Sequence, residues 1–257
     1  MTHGEPIQDR PASRAMADAL SRPQRSRLSL VVLSVSVEVV DGHLVAEAGG
    51  RFLLDTGSPM SFARTGEVVW AGRDHEVATN LLGLDSPELS DLVGTPLDGL
   101  LGGDVLGESP FTVDLERSTC FFDETPTDRD GIELQLRLVL GVPFASLEID
   151  GLPTATCIDT GAKLSYLERG RLAGTVVVGE ADDFYPGLGA LRTAIHEVPV
   201  RIAASTLTLR IGELPDALAV QLSMLGLAAI LGTEILEHFP TVTFDYPASV
   251  ARLYPLN

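Results

Sequence analysis

The sequence predicts an all-β architecture, β-rich with a few short helices. Apolar residues come in short runs rather than long ones. Turn dipeptides break them at Asp41-Gly42, Gly49-Gly50, Asp130-Gly131 and Asp150-Gly151. No long stretch sustains a helical period. Hydrophobic residues make up 45% of the 257 and aromatics only 5%, so the expected core is mainly Leu, Val, Ile and Ala.

Taken in order, residues 1–27 are polar, with Pro6, Pro11, Pro23 and several arginines. They read as a flexible N-terminal arm with a short helix near Ala12 to Leu20. The apolar stretch Leu28 to Val37 follows Arg22, Arg25 and Arg27 as a secretion signal would. It lacks a small-x-small cleavage site, alternates in part, and meets Glu38 and Asp41 at once, so it reads as a strand. The next run, Phe52-Leu53-Leu54, ends in Asp55-Thr56-Gly57-Ser58. Leu100-Leu101-Gly102 comes later, then a short helix at Asp104-Val105-Leu106, then Thr112-Val113-Asp114. The acidic, Pro-containing stretch 123–130 is the natural linker. Beyond it the same order recurs. Cys157-Ile158 leads to Asp159-Thr160-Gly161-Ala162, then Ile230-Leu231-Gly232, a short helix at Glu234-Ile235-Leu236, and Thr243-Phe244-Asp245.

This repetition indicates a duplicated unit. The offset is 104 residues at the Asp-Thr-Gly (159 minus 55) and 130 at the Leu-Gly (232 minus 102), so the second unit carries 26 extra residues between its motifs. The expected lobes are 28–124 and 131–257.

The formal charge is −18, from 36 acidic and 18 basic residues, which argues against nucleic acid or an anionic membrane surface as partner. No stretch of about 18 apolar residues implies a membrane span. Cys120 and Cys157 stand in no paired-ligand spacing and read as reduced core thiols. His3, His43, His75, His196 and His238 are scattered, so no metal and no cofactor are expected. Gly99 to Gly107 is glycine-rich but matches neither a Walker loop nor Gly-x-Gly-x-x-Gly. Asp104 and Glu234 occupy matching places and read as acids of a helix first turn. Lys163, the only lysine, reads as a solvated surface residue rather than one that biases the site.

An aspartate ending a buried strand is costly unless its carboxylate is hydrogen-bonded. Gly57 and Gly161 allow the chain to turn so that N–H groups approach that carboxylate. Thr56 and Thr160 offer hydroxyls that can bond across a symmetric interface. If the two units pack about a twofold axis, Asp55 and Asp159 meet and share one proton. One carboxylate then serves as base on a water held between them, while the other acid protonates the carbonyl oxygen of an amide.

The doubled Asp-Thr-Gly, each copy with its downstream apolar-apolar-Gly, resembles the aspartic proteases of the pepsin and retropepsin group. The resemblance covers about residues 28–257. It implies a bilobal acid-protease fold with pseudo-twofold symmetry and two retropepsin-like lobes, as in a retropepsin dimer fused into one chain. It implies Asp55 and Asp159 as the catalytic pair and Thr56 and Thr160 as interlocking threonines. Leu101-Gly102 and Leu231-Gly232 would pack behind the two Asp loops. Ser58 follows the first triplet and could bond to the outer oxygen of Asp55; Ala162 follows the second and cannot.

Pepsin-like enzymes carry a flap tyrosine in the first lobe, but residues 59–99 contain no tyrosine; Trp70 and Phe62 are their only aromatics. The candidate flap lies in the second lobe's extra length, Phe184 to Ala190, with Tyr185, Gly187 and Gly189; the alternative is a plain surface hairpin.

The expected activity is an aspartic endopeptidase acting on a peptide or protein substrate. The alternatives are a catalytically silent peptide-binding module of the same fold, or a structural role in assembly. A monomer is expected because both lobes share one chain, and few cysteines with no clear signal point to the cytoplasm.

Overall fold

Turn chemistry decides where the strands break. Asp41-Gly42, Leu140-Gly141 and Asp150-Gly151 each place two successive residues at positive φ, with values of 45° and 85°, 53° and 81°, and 50° and 73°. Tight two-residue hairpin turns require that geometry. They join Ser34–Val40 to His43–Glu47, Arg137–Val139 to Val142–Ile149, and Val142–Ile149 to Leu152–Ile158. Two of these turns follow from Asp-Gly; the one at Leu140 does not, because leucine rarely adopts that conformation.

The computed structural model describes residues 1, 33–123, 125–126, 130–185 and 189–256. Apart from Met1, the expected arm and its short helix lie outside those residues. Every element of the fold belongs to the compact unit Val32–Asn257. The strand expected within Leu28 to Val37 is present from Ser34 onward, as Ser34–Val40.

The fold is β-rich. One ten-stranded sheet runs from Ile132–Gln135 through Val250–Tyr254, Thr241–Asp245, Phe111–Asp114, Thr119–Phe122 and Ser34–Val40 to His43–Glu47, Arg51–Leu54, Gly99–Leu101 and Phe62–Ala63. It draws strands from before residue 123 and from after residue 130. At its centre the two copies' tails pair antiparallel, with Thr112 opposite Thr243 and their hydroxyls 2.8 Å apart. An eight-stranded sheet is built from the second half alone, Arg137–Val139 through Val177–Tyr185.

Each Asp-bearing strand has the same neighbours. Arg51–Leu54 pairs in parallel with Gly99–Leu101, which pairs antiparallel with Phe62–Ala63. Leu152–Ile158 pairs in parallel with Ala229–Leu231, which pairs antiparallel with Ser165–Leu167. The halves differ between these strands. The first inserts the short hairpin Glu67–Trp70 and Arg73–Glu76. The second has a long hairpin, Val177–Tyr185 and Gly189–Ile202, backed by Ser205–Glu213.

Short helices stand at Gly103–Leu106 and Ile235–His238, as the sequence predicts. Two more, Ser86–Val93 and Asp216–Met224, are additions. The first is capped by the Asp85 carboxylate, which accepts from the Glu88 N–H, and is closed by Gly94 at φ 76°. Its eight residues are too few for a periodic signal, although its caps can be read in the sequence. Trp70 packs edge-on against Phe111 and Phe122 in the core, and Cys120 and Cys157 are buried and free. Among the described residues no helix is long and apolar enough to cross a membrane.

Candidate active site

The two Asp-Thr-Gly loops meet face to face. The parallel pairing in each half sets the aspartate at a strand end, where Asp55 N–H donates to the Leu101 carbonyl and Asp159 N–H to the Leu231 carbonyl, both at 2.9 Å. The chain then turns, and the carboxylate is met by N–H groups of its own loop. Asp55 Oδ1 accepts from Ser58 N–H at 2.8 Å. Asp159 Oδ1 accepts from Gly161 N–H at 2.9 Å and Ala162 N–H at 3.1 Å. The Ser58 hydroxyl is turned away and donates to the Met60 carbonyl at 2.8 Å. Position 58 therefore serves Asp55 through its backbone, as Ala162 serves Asp159, and the expected serine–alanine inequivalence has no contact behind it.

Thr56 and Thr160 interlock. The Thr56 hydroxyl donates to the Ile158 carbonyl at 2.8 Å and accepts from Thr160 N–H at 3.0 Å. The Thr160 hydroxyl donates to the Leu54 carbonyl at 2.6 Å and accepts from Thr56 N–H at 3.2 Å. Each loop thus grips the strand end that carries the other aspartate. Thr56→Val leaves a buried N–H and a buried carbonyl without partners and is expected to destabilise the protein by about 2–4 kcal/mol. Denaturant unfolding checks this; a loss under ~0.5 kcal/mol would mean that the grip does not hold the loops.

Two glycines set the approach of the carboxyls. A Cβ on Gly57 would lie 2.2 Å from Asp159 Cγ, and one on Gly161 would lie 2.3 Å from Asp55 Cγ. Each carboxyl occupies the space that a side chain on the opposite loop would fill. Behind the loops, Gly102 and Gly232 do the same for the backbone, since a Cβ there would strike the Met60 and Leu164 carbonyls. Ser61 and Ser165, themselves 104 residues apart, accept the Gly102 and Gly232 N–H groups. Asp104, expected as a first-turn acid, accepts from the Ser61 hydroxyl and Val105 N–H. Its counterpart Glu234 accepts from Arg210 N–H.

Both aspartates are buried, each 9% exposed. Burial pushes the Asp55 carboxyl well above the usual carboxylate range, and the neighbouring Asp159 charge and hydrogen bond push it further. Burial also raises Asp159, while the hydrogen bond from Asp55 and the Gly161 and Ala162 N–H groups oppose the rise. Burial and mutual repulsion thus favour a single proton shared by the pair, with the stronger upward push on Asp55.

The dyad opens into a cavity of about 520 Å³. Leu53, Leu81, Leu82, Leu89 and Leu100 line it from the first half; Tyr166, Leu218 and Ile230 line it from the second. The end of the long hairpin completes it with Asp183, Phe184, Tyr185 and Leu191. Phe184 reaches the first half, packing near Leu53 and Leu89, with its ring 5.3 Å from that of His43. Tyr185 packs against the second half's apolar cluster, and burial beside the two aspartates raises its hydroxyl's pKa. Gly189 pairs with Tyr185 across the hairpin, whereas Gly187 lies outside the described residues. In the first half a tight turn at Leu81 to Leu84 stands at the cavity instead of a long hairpin. Lys163 pairs with Asp41 at 2.7 Å and leaves the dyad untouched.

Sequence reasoning missed the roles of two residues here. His43 is buried, and its Nδ1 donates to the Gly161 carbonyl at 2.9 Å, tying the first half to the second loop. Asp183 accepts from the Tyr166 hydroxyl at 2.6 Å. No local pattern marks either, because both act across long separations. The Asp41-Gly42 turn ahead of His43 was the nearest signal.

No protein-family model matches this chain, and no curated protein matches it. Among solved structures, a retropepsin-like aspartic protease from Rickettsia conorii is similar over 48% of this chain and 90% of its own, at 17% identity and a TM-score of 0.35.

Proposed function

We propose that this protein is an aspartic-type endopeptidase whose lobes, 28–124 and 131–257, each deliver one carboxylate to a shared dyad. The observation that carries the reading is the reciprocal fit of the loops, in which each carboxyl rests against the other loop's glycine beneath one cavity. A peptide lies extended between the long hairpin and the dyad. Asp159, ionised, takes a proton from a water as the water oxygen bonds to the scissile carbonyl carbon. Asp55 gives its proton to the carbonyl oxygen. The tetrahedral diol collapses as the amide nitrogen takes a proton from the dyad and the C–N bond breaks. No metal or covalent intermediate is needed for this sequence of steps.

A mixed-peptide digest across pH, with and without a statine-type transition-state mimic, tests the reading. Cleavage blocked by the mimic is the expected result. Binding of peptides without cleavage at any pH selects the silent peptide-binding module instead.

The hairpin end is proposed as the flap. Tyr185→Ala is expected to lower kcat/KM by about 10-fold or more, through lost exclusion of water and looser substrate positioning. Unchanged turnover reduces Val177–Tyr185 and Gly189–Ile202 to a surface hairpin.

The raised Asp55 carboxyl also makes stability depend on pH. In the folded protein Asp55 keeps its proton to a higher pH than in the unfolded chain, where carboxylates titrate near about 3.9. Its stabilisation is complete below that value and disappears as pH rises through the folded-state pKa. Asp55→Asn has no such proton to lose. The Tm of the variant relative to the native protein should therefore climb as pH rises above about 4. Parallel melting curves of the two would argue against a proton held on Asp55.

A further inference from the structure

The cavity is lined mainly by apolar side chains, with Ser58, Gln221, Tyr166 and Tyr185 among its polar ones, and besides the dyad it holds one other acid. Asp183 stands on the long hairpin, two residues before Tyr185, and lines the same cavity as Asp55 and Asp159. It is half-buried. Oδ2 accepts from the Tyr166 hydroxyl and Oδ1 from Phe184 N–H at 2.8 Å, so the carboxylate is held in place and still has free lone pairs. No arginine, lysine or histidine among the described residues forms an ion pair with it. Its neighbours on the hairpin behave differently: Asp182 is bound to Arg192 at 2.7 Å and points to solvent. A fixed carboxylate with no ion-pair partner among the described residues, in a cavity it shares with Leu191, Leu218 and Tyr166, suits a ligand with an apolar stem and a cationic tip.

We propose that Asp183 is a specificity-determining residue, and that it selects a lysine or arginine side chain of the bound peptide next to the bond that is cut. The proposal rests on the endopeptidase reading of the dyad. The aliphatic part of the side chain packs along the cavity wall near Leu191 and Leu218, and its ammonium or guanidinium meets Asp183. The protein's charge of −18 favours the approach of cationic peptides over anionic ones. Tyr166 positions the carboxylate and does not itself meet the cation.

The test uses full-length protein and matched peptide sets that differ only in the residues flanking the scissile bond: Lys, Arg, Leu, Gln or Glu. Lys or Arg at one flanking position is expected to be preferred over Leu. Asp183→Asn should lower the kcat/KM ratio of the Lys to the Leu peptide by about 10- to 100-fold, the range of a charge-assisted contact. Asp183→Arg should move the preference toward Glu, a reversal that a purely structural role does not produce. If the native protein cuts peptides without preferring a basic residue, or Asp183→Asn keeps the preference, the Asp183 proposal is overturned and the peptidase reading stands. If no peptide is cut at any pH, both are overturned.

Discussion

Asp55→Asn and Asp159→Asn are each expected to lower peptide cleavage by about 10²–10⁴-fold, the range of one lost acid–base function. The fold should survive, because an asparagine side-chain oxygen can still accept from Ser58 N–H at position 55, or from Gly161 and Ala162 N–H at position 159. The chemistry cannot survive, because an amide neither takes a proton from water nor gives one to a carbonyl oxygen at ordinary pH. Replacing both residues should remove little more than replacing one, since the carboxyls work as a unit. Initial rates on a cleaved peptide, together with melting curves, check the expectation. Native-level turnover by the purified double variant would reject the dyad.

Gly57→Ala and Gly161→Ala carry the second large effect. An alanine Cβ at either place would sit about as close to the opposite carboxyl carbon as two bonded atoms plus a fraction of an ångström, 2.2 or 2.3 Å. The carboxyl must move, and the N–H groups that hold it lose their geometry. Each substitution is expected to reduce kcat by about 10²-fold or more through misplacement of the dyad. Destabilisation of about 1–3 kcal/mol should accompany it, from overpacking of a tight contact. Gly49→Ala serves for comparison, because open space surrounds that residue and only its backbone at φ 73° is affected. It should leave kcat near the native value while costing about 1 kcal/mol of stability. Full activity in Gly57→Ala and Gly161→Ala would mean that the carboxyls do not need this close approach.

Local signals in the chain carried the strand-and-turn character, the two Leu-Gly strands and the short helices after them. Asp41-Gly42 and Asp150-Gly151 turn because only certain residues accept positive φ, and that preference is written in the residue types. Leu140-Gly141 turns against its leucine's preference; its glycine packs backbone to backbone against Gly103, so tertiary packing overrides local chemistry there. Helix Ser86–Val93 escaped notice because two turns are too short to show a period.

The same division holds at the site. By itself the sequence determined that two Asp-Thr-Gly units exist, 104 residues apart, each with a partner strand, because a motif and its spacing are properties of the chain. Only the tertiary structure decided that the loops face each other, that Ser58 works through its N–H rather than its hydroxyl, and that burial and proximity raise the Asp55 carboxyl above the usual range. It also decided that the extra length of the second half becomes the hairpin that brings Asp183 and Tyr185 to the cavity. Those outcomes depend on distance and desolvation between residues far apart in the chain, and neither is encoded at any single position.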